Sequence, residues 1–131
     1  MAYKITIKST VDGETNEIVA FGNVFKEYGS TAIDFSDEET GNYTKIVIGE
    51  DMVSIIKEGD ISTVLLFERG KSTFSELSTE YGEIPVETRT TDISEILTDD
   101  SVSLKLAYTS FVGGLTERFD VNVTAERIST T

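Results

Sequence analysis

Apolar and polar residues alternate along this chain in short runs, and each run ends at a glycine or an acidic turn roughly ten residues on. The clearest stretch is Val102, Leu104, Leu106 and Tyr108, then Val112-Gly113-Gly114-Leu115, then Phe119, Val121 and Val123. A period of two buries one face of an extended strand, whereas a helix buries a stripe that repeats at about 3.6 residues. The alternation with regular turns predicts a meander of β-hairpins. A shape follows from this pattern, but no reaction does.

About ten strands can be traced. The first runs from Tyr3 to Thr10, with Asp12-Gly13 as its turn, and the second from Thr15 to Phe25. Gly22 lies inside that second run, where the inward phase is expected to change at a bulge. Further strands are expected over 31–35, 43–48, 52–57, 61–69 and 73–77, separated by Tyr28-Gly29 and glycine- or acid-rich turns. A longer extended segment covers 81–95, with Pro85 facing an edge or a gap in the ladder. The last two strands cover 102–111 and 115–127. Asp92 to Leu97 has apolar residues at helical spacing, enough for a single turn at most. Local antiparallel connections favour one up-and-down barrel over residues 1–131, with no exposed edge. A two-sheet sandwich is the alternative.

Composition narrows the chemistry. The chain has 131 residues and no cysteine, so disulfides, thiolate nucleophiles and Cys-ligated metals are excluded. It also has no histidine, which removes the commonest general base near neutral pH and the Ser-His-Asp arrangement. Carboxylate, lysine or tyrosine chemistry is what remains for an enzyme. The net charge of −13 repels phosphate backbones and anionic lipid surfaces, so neither nucleic acid nor membrane is an expected partner. The alternating start, Met1 to Lys8, lacks the apolar core of a secretory signal, and a soluble cytoplasmic protein is expected.

The most distinctive segment is Tyr81-Gly82-Glu83-Ile84-Pro85-Val86-Glu87-Thr88, which reads as a structural corner packed by Tyr81. Taken with Ile5-x-Ile7-Lys8, Phe67-Glu68-Arg69-Gly70 and Leu104-x-Leu106-x-Tyr108, it resembles the bacterial YwiB-like family, a domain of unknown function. The chain departs from that family's pattern in its last hairpin, where Gly113-Gly114 stands for an asparagine- or aspartate-glycine turn. The resemblance implies a calycin-like, lipocalin-like barrel and brings no catalytic or binding residues with it.

Calycin relatives suggest a ligand cavity. The phase of Val121, Val123 and Ala125 puts Arg127 on the lumen side near the barrel's end, where a guanidinium grips a carboxylate at two points. The plainer reading is a terminal arginine reaching solvent. Fatty-acid-binding proteins carry an arginine and a tyrosine two apart on their last strand; here those positions hold Arg127 and Ser129. Tyr108 follows the phase of Leu104 and Leu106, as core filler or as a hydroxyl on a ligand. Thr88 and Thr90 continue the Ile84-Val86 face and would give the lumen a polar strip. Glu83 and Glu87 share one strand phase, and Glu38-Glu39 sits in a loop, but solvated charge is the ordinary state of such pairs.

The sequence therefore predicts a non-enzymatic β-barrel that binds a small, partly apolar or acidic molecule. Arg127, Tyr108, Thr88 and Thr90 are the candidate contacts, with no catalytic residue, metal or cofactor. The alternatives are a protein-interaction module using the acidic surface or a strand edge and, more distantly, a carboxylate-based hydrolase.

Overall fold

The computed structural model describes residues 2–128, which form ten antiparallel strands. These are β1 (Tyr3–Val11), β2 (Glu14–Glu27), β3 (Ser30–Ser36), β4 (Tyr43–Ile48), β5 (Met52–Glu58), β6 (Ser62–Glu68), β7 (Ser72–Thr79), β8 (Gly82–Leu97), β9 (Ser101–Val112) and β10 (Leu115–Arg127). Each lies beside its neighbour in sequence, and β10 returns to pair with β1 from Tyr3↔Arg127 to Val11↔Phe119. The sheet closes into the up-and-down barrel that the alternation predicts. Among the described residues no helix is long and apolar enough to cross a membrane.

Local chemistry sets the hairpins. Asp12-Gly13, Tyr28-Gly29 and Gly113-Gly114 are two-residue turns with positive φ at both positions. Such turns match the right-handed twist of the strands they join.

Residues paired directly across antiparallel strands point to the same face. One inward set therefore runs round the barrel through Ile5, Val24, Ile33, Ile46, Ile55, Leu65, Ile93, Leu106 and Val121. In the middle of the barrel these side chains meet in one contiguous cluster, with Ile5, Ile33, Val53, Phe67, Leu104 and Ala125 wholly shielded from water.

Several expectations are corrected. Gly22 is not a bulge: β2 keeps one phase, with Ala20, Gly22 and Val24 all facing in. A Cβ at Gly22 would lie 2.0 Å from the Asp34 carbonyl oxygen, so glycine is there because β3 passes too close for any side chain. The bulge falls instead at Thr91 in β8, where the register shifts between Thr90 and Asp92. The β6–β7 turn explains it: Gly70 N–H donates to the Thr90 carbonyl at 2.8 Å, and Thr90 N–H donates to the Lys71 carbonyl at 3.1 Å. These bonds hold the bulged backbone beyond the point where β7 ends. Asp92 to Leu97 is strand throughout. Tyr81 packs nothing, being 92% exposed. The corner is held by Thr79, whose hydroxyl accepts from Tyr81 N–H and donates to the Gly82 carbonyl. Pro85 lies on the stretch of β8 that precedes its pairing with β9, as its missing N–H requires.

The barrel also keeps an edge that a closed sheet was expected to remove. β2 pairs with β3 only from Gly22 to Glu27, while among the described residues Glu14–Phe21 have β1 alone as a ladder partner. A second irregularity separates β6 from β7, whose ladder is limited to Ser62↔Ser78 and Thr63↔Leu77. Threonine hydroxyls bridge this seam, Thr63 donating to the Glu76 carbonyl and Thr73 to that of Leu66.

Candidate ligand-binding site

The two ends of the barrel differ. At the end carrying the β2–β3 and β8–β9 turns, a recess of about 360 Å³ opens across the lumen. Tyr3, Val24, Lys26, Thr31, Leu97 and Val102 line it on the inward phase of five strands. Phe25, Thr98, Asp99 and Ser101 make its rim. Its floor is the packed core, since the next inward residues below Tyr3, Thr31 and Val102 are Ile5, Ile33 and Leu104, each without solvent contact.

Lys26 is the singular group in this recess. The inward phase of β2 carries its stem past Val24, and its ammonium donates to the Thr31 hydroxyl, 2.7 Å away on the facing strand. Thr31 itself is buried. Among the described residues no carboxylate lies within ion-pair distance of Lys26, whereas Lys45, which is partly buried, is satisfied by Glu27 at 2.7 Å. An ammonium, a buried hydroxyl and the Tyr3, Val24, Leu97 and Val102 surfaces suit a small molecule with an acidic head and an apolar body. Thr98 does not contribute a free hydroxyl, because it is committed to the turn through Ser101.

Arg127 reaches the same end. Its Cα sits opposite Tyr3, one inward step beyond Ala125, but its guanidinium turns to Asp100 of the β8–β9 turn at 3.3 Å. Asp100 offsets its charge, so it is a weaker anion contact than Lys26. Ser129, the other half of the arginine–tyrosine comparison, lies outside the described residues.

Tyr108, Thr88 and Thr90 face the interior but lie far from this mouth. Tyr108 is six residues along β9 from Val102, roughly 20 Å at about 3.3 Å per residue. Its ring stacks on Phe119 and tilts against Phe67, with centroids 5.0 and 4.8 Å away. Burial pushes its phenol pKa up to about 12. Thr90, paired with Tyr108 across β8 and β9, is 1% exposed, and its hydroxyl has no hydrogen-bond partner among the described residues. The structure thus joins Thr88, Thr90 and Tyr108 in one deep layer and separates them from Arg127 by packed apolar side chains.

Glu83 and Glu87 do not face each other across a strand pair, lying opposite Ser78 and Phe74. Glu83 faces Glu76 of β7 rather than Glu87, and its hydrogen bond and charge raise the Glu76 pKa on the outer surface. Among the described residues no group of three or more acidic side chains is placed to hold a metal ion. An open groove of about 690 Å³ lies on the outer wall beside the β6–β7 seam, lined by Val64, Leu66 and Phe74 with Glu58 and Glu76.

The sequence model of a domain of unknown function, DUF1934, matches residues 2–128. The chain belongs to this family. Its barrel is similar to the crystal structure of the ywiB protein from Bacillus subtilis, with a TM-score of 0.88 and 22% sequence identity, covering 98% of this chain and 92% of that one. This supports the YwiB-like resemblance and shows the shared fold. No curated protein matches the chain. DUF1934 carries no assigned activity, so the residues of the mouth have to be read by their own chemistry. A phase change at Gly22 turns Lys26 outward on β2, and nothing local in the sequence marks Thr31 as its partner. Steady alternation from Ala20 through Val24 would have placed Lys26 inside.

Proposed function

We propose that this DUF1934 protein is a non-enzymatic carrier or sensor of a small, partly apolar carboxylic acid, working in solution in the cytoplasm. The observation that supports it most directly is Lys26: an ammonium turned into the barrel mouth, with no carboxylate of the described residues at ion-pair distance, in a chain of net charge −13. An acidic protein draws cations generally, so an unpaired lysine over an apolar recess selects for an anion at that one place. The acid head would bridge Lys26 and Thr31, and the apolar body would cover Tyr3, Val24, Leu97 and Val102. The filled middle of the barrel limits the ligand to the mouth. The absence of histidine and cysteine agrees with binding rather than turnover.

Native mass spectrometry of protein isolated without denaturant or organic solvent tests the reading, with octanoate titration by calorimetry beside it. A reproducible adduct of an organic acid, or octanoate binding abolished by Lys26→Met, supports it. A bare chain mass together with no heat from octanoate overturns it.

A further inference from the structure

We infer that the free edge of β2, residues Glu14–Phe21, takes a basic, extended polypeptide segment as an added strand. This site lies on the other end of the barrel from the Lys26 recess and does not depend on it. Three features meet there.

The first is main-chain chemistry. β3 leaves β2 after Gly22↔Phe35, so one side of β2 presents unpaired N–H and C=O groups over Glu14–Phe21. Such an edge is a template for another strand, and most proteins blunt it with lysine, proline or a bulge. This edge has none of these devices.

The second is apolar surface. Ile18 is 57% exposed, Val19 47% and Phe21 64%, a contiguous run on a strand otherwise polar at its start. With Phe35 and Ser36 they line a depression of about 430 Å³, in the lane that β3 vacates. Alternate side chains of an added strand would cover Val19 and Phe21 on one face and Ile18 on the other.

The third is charge, which chooses the occupant. The β3–β4 loop places Asp37, Glu38 and Glu39 at the head of that lane, and Glu14 and Glu17 lie on the edge itself. The Asp37 side chain is spent on the loop, accepting from Glu39 N–H at 2.8 Å, but Glu38 and Glu39 are exposed. On the neighbouring β1, Lys8 lies 3.9 Å from Glu17 and Lys4 sits opposite Phe21. A second copy of this chain would bring the same acidic edge and a further −13, so self-pairing is opposed. A strand carrying lysine or arginine meets no such penalty.

The test uses a fluorescein-labelled octapeptide alternating lysine and valine, its glutamate–valine counterpart, and the full chain. Fluorescence anisotropy is expected to show the lysine peptide binding at least tenfold more tightly, with affinity falling as salt rises. Hydrogen–deuterium exchange is expected to slow at Glu14–Phe21 and not around the Lys26 recess. Phe21→Lys, an exposed change that leaves the core untouched, is expected to weaken binding at least fivefold, with exchange in β9 and β10 unchanged as evidence of folding. No binding of the lysine peptide at low salt, or binding without protection of Glu14–Phe21, overturns the proposal. A concentration-dependent dimer in sedimentation that protects the same residues overturns it in favour of a second copy.

Discussion

Lys26 and Thr31 face each other across β2 and β3, with the ammonium 2.7 Å from the hydroxyl and both side chains turned into the barrel mouth. The pairing positions a cation at the end of an apolar recess. Arg127 stands at the same end but is held by Asp100. This difference between two cations makes the proposed site testable by mutation.

Lys26→Met is expected to reduce octanoate affinity at least tenfold. Arg127→Gln should lower it less than threefold, because Asp100 already offsets that charge. Lys26→Met should not move the urea midpoint by more than the equivalent of about 0.5 kcal/mol, since that residue is exposed. Equal losses from the two variants would move the site from Lys26 to the whole rim.

Gly22→Ala should be severely destabilising, by about 3 kcal/mol, because the new methyl would collide with the Asp34 main chain and with Ile5 and Phe35. Urea unfolding followed by far-ultraviolet circular dichroism measures this. A loss below about 1 kcal/mol would mean that β3 moves aside readily, and the close approach would then be incidental.

Thr90→Val removes a buried hydroxyl that has no partner. The expected result is a gain of about 1 kcal/mol in urea unfolding, because the desolvation cost of that oxygen disappears while its volume stays. Thr88→Val serves as the comparison in the same layer. Destabilisation at Thr90 would indicate an internal water or ligand atom bonded to it.

Alkaline pH should weaken the fold through Tyr108 and Tyr43. Both phenols are raised to about 12, each by burial first, and Tyr43 also by donating to Asp34 at 3.0 Å. In the unfolded chain a tyrosine ionises near pH 10. Their contribution is therefore complete below about pH 10 and is lost as pH rises from there through 12, where the unfolded state holds fewer protons than the folded one. Absorbance at 295 nm should show two late-ionising tyrosines, and Tyr108→Phe should remove one and flatten the decline in stability. Two late phenols persisting in Tyr108→Phe would refute the assignment.

Much of this barrel can be read from alternation and turn chemistry alone. Period-two runs such as Val102–Tyr108 depend on adjacent residues, as do Asp12-Gly13 and Gly113-Gly114, whose backbone conformations are local properties. Strand number, the turns and the inward phase of Thr88, Thr90 and Tyr108 are therefore present in the sequence. A strand glycine such as Gly22 commonly marks a bulge, but the bulge's position depends on a contact between distant segments. The Arg69-Gly70-Lys71 turn binds the backbone of Thr90, and that long-range contact fixes the irregularity at Thr91.

The strands, the side chains that pack the barrel's middle and the exclusion of thiol and imidazole chemistry all follow from local pattern or residue type. That Lys26 enters a recess beside Thr31, that Asp100 holds Arg127, and that β2 outruns β3 to leave a free edge are long-range features of the folded barrel. Those features depend on where strands far apart in sequence begin and end against one another, and hydrophobic periodicity carries no information about relative strand length across a closed sheet.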